Sequence, residues 1–126
     1  MVTMRQHGFT MIELMVSLLI VSLILTLAAP RYFSNIDRTK EEVLREDLYV
    51  LRDAIDKFYA DKNRYPALLD DLVTEKYLRA IPVDPFTKSS RSWTLVPPQD
   101  ASLGALADVR SGAPNTARDG TWFKDW

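Results

Sequence analysis

The fold of this chain turns on FTMIELMVSLLIVSLILTLAA, the stretch from Phe9 to Ala29, with Pro30 directly after it. A single charge, Glu13, interrupts its twenty-one residues. Wound as a helix at about 1.5 Å per residue, it is roughly 31 Å long, close to the hydrocarbon thickness of a bilayer. The stretch therefore predicts one membrane span. A secretory signal peptide is the competing reading, since Arg5 precedes the run and mostly small residues, Thr26 to Ala29, end it. Length argues against it: apolar signal cores run to about 15 residues at most, and Pro30 is an awkward neighbour for a cut. A buried core helix fits less well still, because no polar face divides the run.

Outward from Pro30 the pattern changes. Phe33, Ile36, Leu44, Leu48, Leu51, Ile55 and Phe58 recur mostly at three- and four-residue steps, with Asp, Glu, Lys and Arg between them. That spacing predicts an amphipathic half to the same long helix. Glu41 with Arg45, Glu42 with Arg45, and Asp53 with Lys57 are spaced to pair on a solvated face, each worth about 0.2–0.5 kcal/mol. Pro30 has no amide hydrogen for the Thr26 carbonyl and crowds the preceding turn, so a weak point is expected there. Asn63 and Tyr65-Pro66 end the helix, because a residue before proline is pushed towards extended geometry.

A second helix is predicted over Ala67 to Leu78, turning Leu68, Leu69, Leu72, Val73 and Leu78 to the first, until Pro82 and Pro85 stop it. Ser92 to Val96 reads as a strand closed by Pro97-Pro98. Two further strands are expected at Ala107 to Arg110 and Thr121 to Trp126, with Ser111-Gly112 and Asp119-Gly120 as turns. The expected class is α+β: a long N-terminal helix, half transmembrane and half amphipathic, carrying a small helix and a short antiparallel sheet.

Composition narrows the function. At 126 residues, 47% hydrophobic and 26% charged, the chain suits one modest domain. A net charge of −1 provides no basic field for a polyanion, so no nucleic-acid partner is expected. There is no cysteine for disulfides, thiolate chemistry or Cys-based metal sites, and the one histidine, His7, precedes the apolar run. Loss of the leading segment would remove all imidazole chemistry, so the chain is not expected to be an enzyme.

The junction from Arg5 to Leu14, RQHG followed by FTMIEL, resembles the cleavage and methylation signal of type IV prepilins and type II secretion pseudopilins. In that signal a short polar leader ends in glycine, phenylalanine follows, and glutamate stands fifth after the cut. Gly8, Phe9 and Glu13 match, and Thr10 and Leu14 also conform. The resemblance implies a type IV pilin-like fold and a membrane-embedded aspartyl prepilin peptidase. That enzyme would cut between Gly8 and Phe9 and methylate the new amine of Phe9. Residues 1–8 are then a leader, 9–29 a transmembrane and filament-core segment, and 30–126 an amphipathic helix with a periplasmic head. Glycine at the cut lets the backbone lie extended and close to the protease.

A carboxylate in hydrocarbon costs about 2.5–3.5 kcal/mol even on insertion scales, so Glu13 needs an explanation. Taken alone, a glutamate near one end of a span can snorkel to the headgroups. The resemblance implies instead that Glu13 neutralises the Phe9 amine of a neighbouring subunit, so that each joining event relieves two buried charges.

A second resemblance lies in RYPALLDDLVTEKYLRAIPVDPF, Arg64 to Phe86, which is similar to the segment after the long helix in the major pseudopilin family of type II secretion, protein G. A Tyr-Pro pair, a leucine-rich short helix and a Pro-x-Asp-Pro-aromatic turn, here Pro82 to Phe86, occur in that order. The family typically binds calcium in an acidic C-terminal loop. Here that region offers only Asp108, Asp119 and Asp125, interleaved with Arg110, Arg118 and Lys124. Calcium takes six to eight oxygens, so carbonyls and water would have to supply most of them. The expectation is no metal, with calcium as the alternative.

The function implied is a structural subunit polymerising into a short periplasmic pseudopilus, with a type IV pilus or DNA-uptake pseudopilus subunit as the alternative. Implied partners are further copies of the chain, minor pseudopilins, the prepilin peptidase, an inner-membrane platform with its ATPase, and the membrane. Basic residues beside the span, Arg5 against Arg31, Arg38, Lys40 and Arg45, favour the reverse orientation. The resemblance implies an inner-membrane anchor with the head in the periplasm.

Overall fold

The computed structural model describes residues 8–126; the earlier leader residues, with Arg5 and His7, lie outside the described residues. Along the chain come α1 (Met11–Lys62), α2 (Leu69–Thr74), β1 (Thr94–Val96), a 3-10 turn (Ala101–Leu103), β2 (Asp108–Arg110) and a second 3-10 turn (Phe123–Asp125). This is the pilin-like α+β class. The chain divides into two compact units, one ending at Asp37 and the other running from Arg38 to Trp126.

In the N-terminal unit every residue from Gly8 to Asn35 is exposed. The stretch is long and apolar enough to cross a membrane, and none of its apolar window is buried. Three of its hydroxyl side chains are compatible with lipid because each is satisfied within the helix. Ser17, Ser22 and Thr26 donate to the carbonyls of Glu13, Leu18 and Ser22 at 2.8, 2.7 and 2.8 Å. Helical geometry continues through Pro30, so the expected weak point is a missing hydrogen bond and not a break.

The second unit holds the core. Leu44, Leu48, Leu51, Ile55 and Phe58, spaced as expected, are buried with Leu69, Leu72, Trp93, Leu106, Val109 and Phe123. The earlier members of the same stripe do not join: Phe33 is exposed and Ile36 half-buried.

α2 is six residues long, shorter than the predicted Ala67 to Leu78. Asp71 sets its start by accepting the amides of Ala67 and Leu68 at 2.9 and 3.1 Å. Lys76 ends it in the left-handed region, φ 66°, with the Lys76 amide donating to Val73 and the Tyr77 amide to Leu72. This is the Schellman closure, made here without glycine. It turns Tyr77 back so that its ring lies 5.4 Å from that of Phe58 and its hydroxyl donates to Asp61 at 2.6 Å. Of the five apolar residues expected to face α1, Leu69 and Leu72 are buried, Val73 and Leu78 are half-buried, and Leu68 is exposed.

β1 and β2 pair antiparallel with Leu95 opposite Val109. Both strands start inside the predicted ranges, and among the described residues they form the only sheet. The strand predicted from Thr121 to Trp126 is instead a bridge, Thr116 to Trp122, followed by the 3-10 turn. Packing explains the change. Residues three apart point to opposite faces of a strand but share a face in a 3-10 turn. Phe123 and Trp126 need one face, because their rings meet edge-on at 4.9 Å while Phe123 stacks on Phe86 at 4.2 Å.

Candidate assembly site

Gly8, Phe9 and Thr10 precede α1, so the Gly8–Phe9 bond lies outside the helix and the Phe9 side chain is 83% exposed. Glu13 stands in the first turn. The Glu13 amide donates to Thr10 Oγ1 at 3.2 Å, and the Thr10 amide donates to Glu13 Oε2 at 3.4 Å. Thr10 and Glu13 thus form a capping box, a local reason for a carboxylate at this end of an apolar helix that the sequence reading missed. The signal was present as T-x-x-E before an apolar run. The helix dipole adds to it, since a negative group is favoured at the N-terminus. The carboxylate still faces outward on an unpartnered surface, one turn from Phe9. Pro30 belongs to the same exposed helix, beyond Thr26.

The charges expected as solvent dressing do more. Asp53 and Lys57 pair as predicted, at 2.7 Å. The two pairings assigned to Arg45 are replaced. Glu42 takes Arg38 at 3.1 Å, and Arg45 lies over the Trp126 ring, 4.5 Å from its centre. Glu41 accepts the Arg118 amide at 2.8 Å, with the Arg118 guanidinium 3.5 Å from its other oxygen. Arg38 lies four residues before Glu42, but the partners at Arg118 and Trp126 were invisible to helical spacing.

In the Pro82 to Phe86 turn, Asp84 is fully buried. Its Oδ1 accepts the amides of Phe86 and Thr87 at 2.8 and 3.3 Å, and its Oδ2 accepts the Ser111 hydroxyl at 2.5 Å. The turn is thereby tied to the residue after β2. Asp47 feels this carboxylate: partial burial, then the charges of Asp84 and Glu46, push its pKa up.

The carboxylates considered for calcium are not brought together. Asp108 is paired with Arg52 at 2.8 Å, while Asp119 accepts the Thr121 amide and hydroxyl at 2.9 and 2.6 Å, which pulls its pKa down. Asp125 lies exposed in the last turn. No three acidic or histidine side chains among the described residues converge as a metal would need.

An exposed apolar helix with one carboxylate in its first turn, followed by a small α+β unit packed on the same helix, defines a membrane-anchored, pilin-like subunit. Comparison with known proteins gives the particular group. Residues 3–29 match the prokaryotic N-terminal methylation motif. The type II secretion system core protein G of Pectobacterium carotovorum subsp. carotovorum is 30% identical, over 96% of this chain and 87% of that one. The protein of the same name from Pseudomonas aeruginosa is 30% identical over 94% and 96%, and that of Klebsiella michiganensis 28% over 93% of each. No solved structure matches the chain significantly. The chain belongs to the family of type II secretion system core protein G.

Proposed function

We propose that this chain is a pseudopilin, a structural subunit that polymerises from the inner membrane into a short pseudopilus for type II protein secretion. The observation that carries the reading is the lone Glu13 carboxylate on an otherwise apolar, fully exposed helix surface beside Phe9. A surface of that kind needs lipid before assembly and other copies of itself after it. Cleavage between Gly8 and Phe9 keeps the apolar segment attached to the head, and methylation of Phe9 marks the new terminus. Glu13 of one subunit then pairs with the Phe9 amine of the next, exchanging a long capping bond from a neutral amide for an ion pair with an ammonium. Pro30 supplies slack as the helix leaves the bilayer. The head remains in the periplasm, minor pseudopilins join the same filament, and a peptidase, a platform and an ATPase provide the enzymatic steps.

The capping box makes the test sharper. Glu13→Gln keeps a capping acceptor and removes the charge. Membrane-extracted protein from this variant should have lost MVTMRQHG and gained one methyl group by intact mass, yet form no filaments. Normal filaments from Glu13→Gln would remove the charge-pairing role. An unaltered chain starting at Ala29 or Pro30 would instead point to an ordinary signal peptide.

A further inference from the structure

One α1 side chain binds the C-terminal segment at three points. Arg52, half-buried on α1, donates from Nε to Asp108 Oδ1 at 2.8 Å. Its Nη2 donates to the Val109 carbonyl at 3.1 Å and to the main-chain oxygen of Trp126 at 2.8 Å. These three oxygens belong to the start of β2, its middle residue and the residue after the last 3-10 turn. They are a carboxylate and two main-chain oxygens, the hard donors from which a calcium site is assembled. The guanidinium already collects them in a planar fork. A divalent ion placed among them would face that cation.

Two further contacts close the segment around the same helix. Arg45 sits on the Trp126 ring, and Glu41 accepts the Arg118 amide. Asp119 is spent on Thr121.

We propose that Arg52 is the cation that fastens the C-terminal segment, doing by hydrogen bonds what calcium does by coordination, so that the head of this chain is stable without a divalent ion. The assignment rests on the bonding of Arg52 and is independent of whether the chain forms filaments.

Melting of the full chain in detergent micelles, followed through the tryptophans, tests it. All three, Trp93, Trp122 and Trp126, lie in the second unit. With a chelator or with millimolar calcium, the unaltered chain should melt at the same midpoint to within about 1 °C, since a ligand that does not bind the native state shifts nothing. Arg52→Gln should lower the midpoint by roughly 4–8 °C in either condition and open residues 107–126 to protease. Arg52→Lys, which keeps the charge and loses the fork, should fall between. Should Arg52→Gln fail to accumulate, the calcium comparison on the unaltered chain and the Arg52→Lys melt decide the matter. A calcium-dependent rise of about 4 °C or more, reversed by chelator, overturns the proposal. Arg52→Gln melting with the unaltered chain overturns it equally.

Discussion

Replacing Asp84 by alanine should be among the most damaging single changes in the head. Its carboxyl receives three donors, the amides of Phe86 and Thr87 and the hydroxyl of Ser111, at a position with no exposure to solvent. Alanine strands all three. A stranded buried donor costs about 1–3 kcal/mol, and some relief comes from water entering the vacated volume, so a total of roughly 3–5 kcal/mol is expected. A unit the size of Arg38–Trp126 has a total stability of roughly 4–13 kcal/mol. The loss corresponds to a fall of at least about 12 °C in melting midpoint, at about 4–8 °C per kcal/mol. Asparagine keeps Oδ1 for the two amides and disturbs only the Ser111 bond, so Asp84→Asn should cost about 1–2 kcal/mol. Urea unfolding of the micelle-bound full chain, read through tryptophan fluorescence, gives both values. If the alanine variant unfolds with the unaltered chain, or the asparagine variant proves the worse of the two, the hydrogen-bond account of this turn is wrong.

Three other changes probe separate features. A Cβ at Gly112 would overlap the Ser92 carbonyl oxygen, so Gly112→Ala should destabilise the head by about 3 kcal/mol or more in the same unfolding assay. Lys76 holds the left-handed position that closes α2, and Lys76→Gly should raise stability by about 0.5–1 kcal/mol, measured as a higher urea midpoint. Asp47 has a folded pKa above its ordinary 3.8, so the native state binds its proton before the unfolded chain does. Its ionised form therefore lowers stability at neutral pH, and that penalty fades as pH falls through the raised value and is gone below the ordinary one. Asp47→Asn should raise the melting midpoint at pH 7 and lose its advantage in acid, as a pH series of melts will show.

Local, periodic features were legible in the sequence. The run Leu44, Leu48, Leu51, Ile55, Phe58 alternates four- and three-residue steps, and only one face of a helix can bury such a set. Gly8, Phe9 and Glu13 stand out because their offset from the apolar stretch is fixed within a few residues. The failures are of two kinds. Lys76 ends α2 in a conformation for which glycine is the usual signal, so the sequence carried no mark of the stop. The partners of Glu41, Arg45 and Arg52 lie at Arg118, Trp126 and Asp108, and helical spacing cannot reveal contacts made across so much intervening chain. The last predicted strand failed for a similar reason. Aromatic residues favour strands on average, but Phe123 and Trp126 were both claimed by the cluster around Phe86.

The core of the head borrows almost half its apolar side chains from the long helix: Leu44, Leu48, Leu51, Ala54, Ile55 and Phe58 belong to α1, while Leu69, Leu72, Trp93, Leu106, Val109, Ala113, Ala117 and Phe123 come from later in the chain. Anyone trimming the protein into a water-soluble reagent faces a fixed boundary. A cut near Arg38 removes the oily anchor and spares every one of these packing residues. A cut past Phe58 would deliver a fragment whose inner wall has been left behind, and aggregation would be its natural fate.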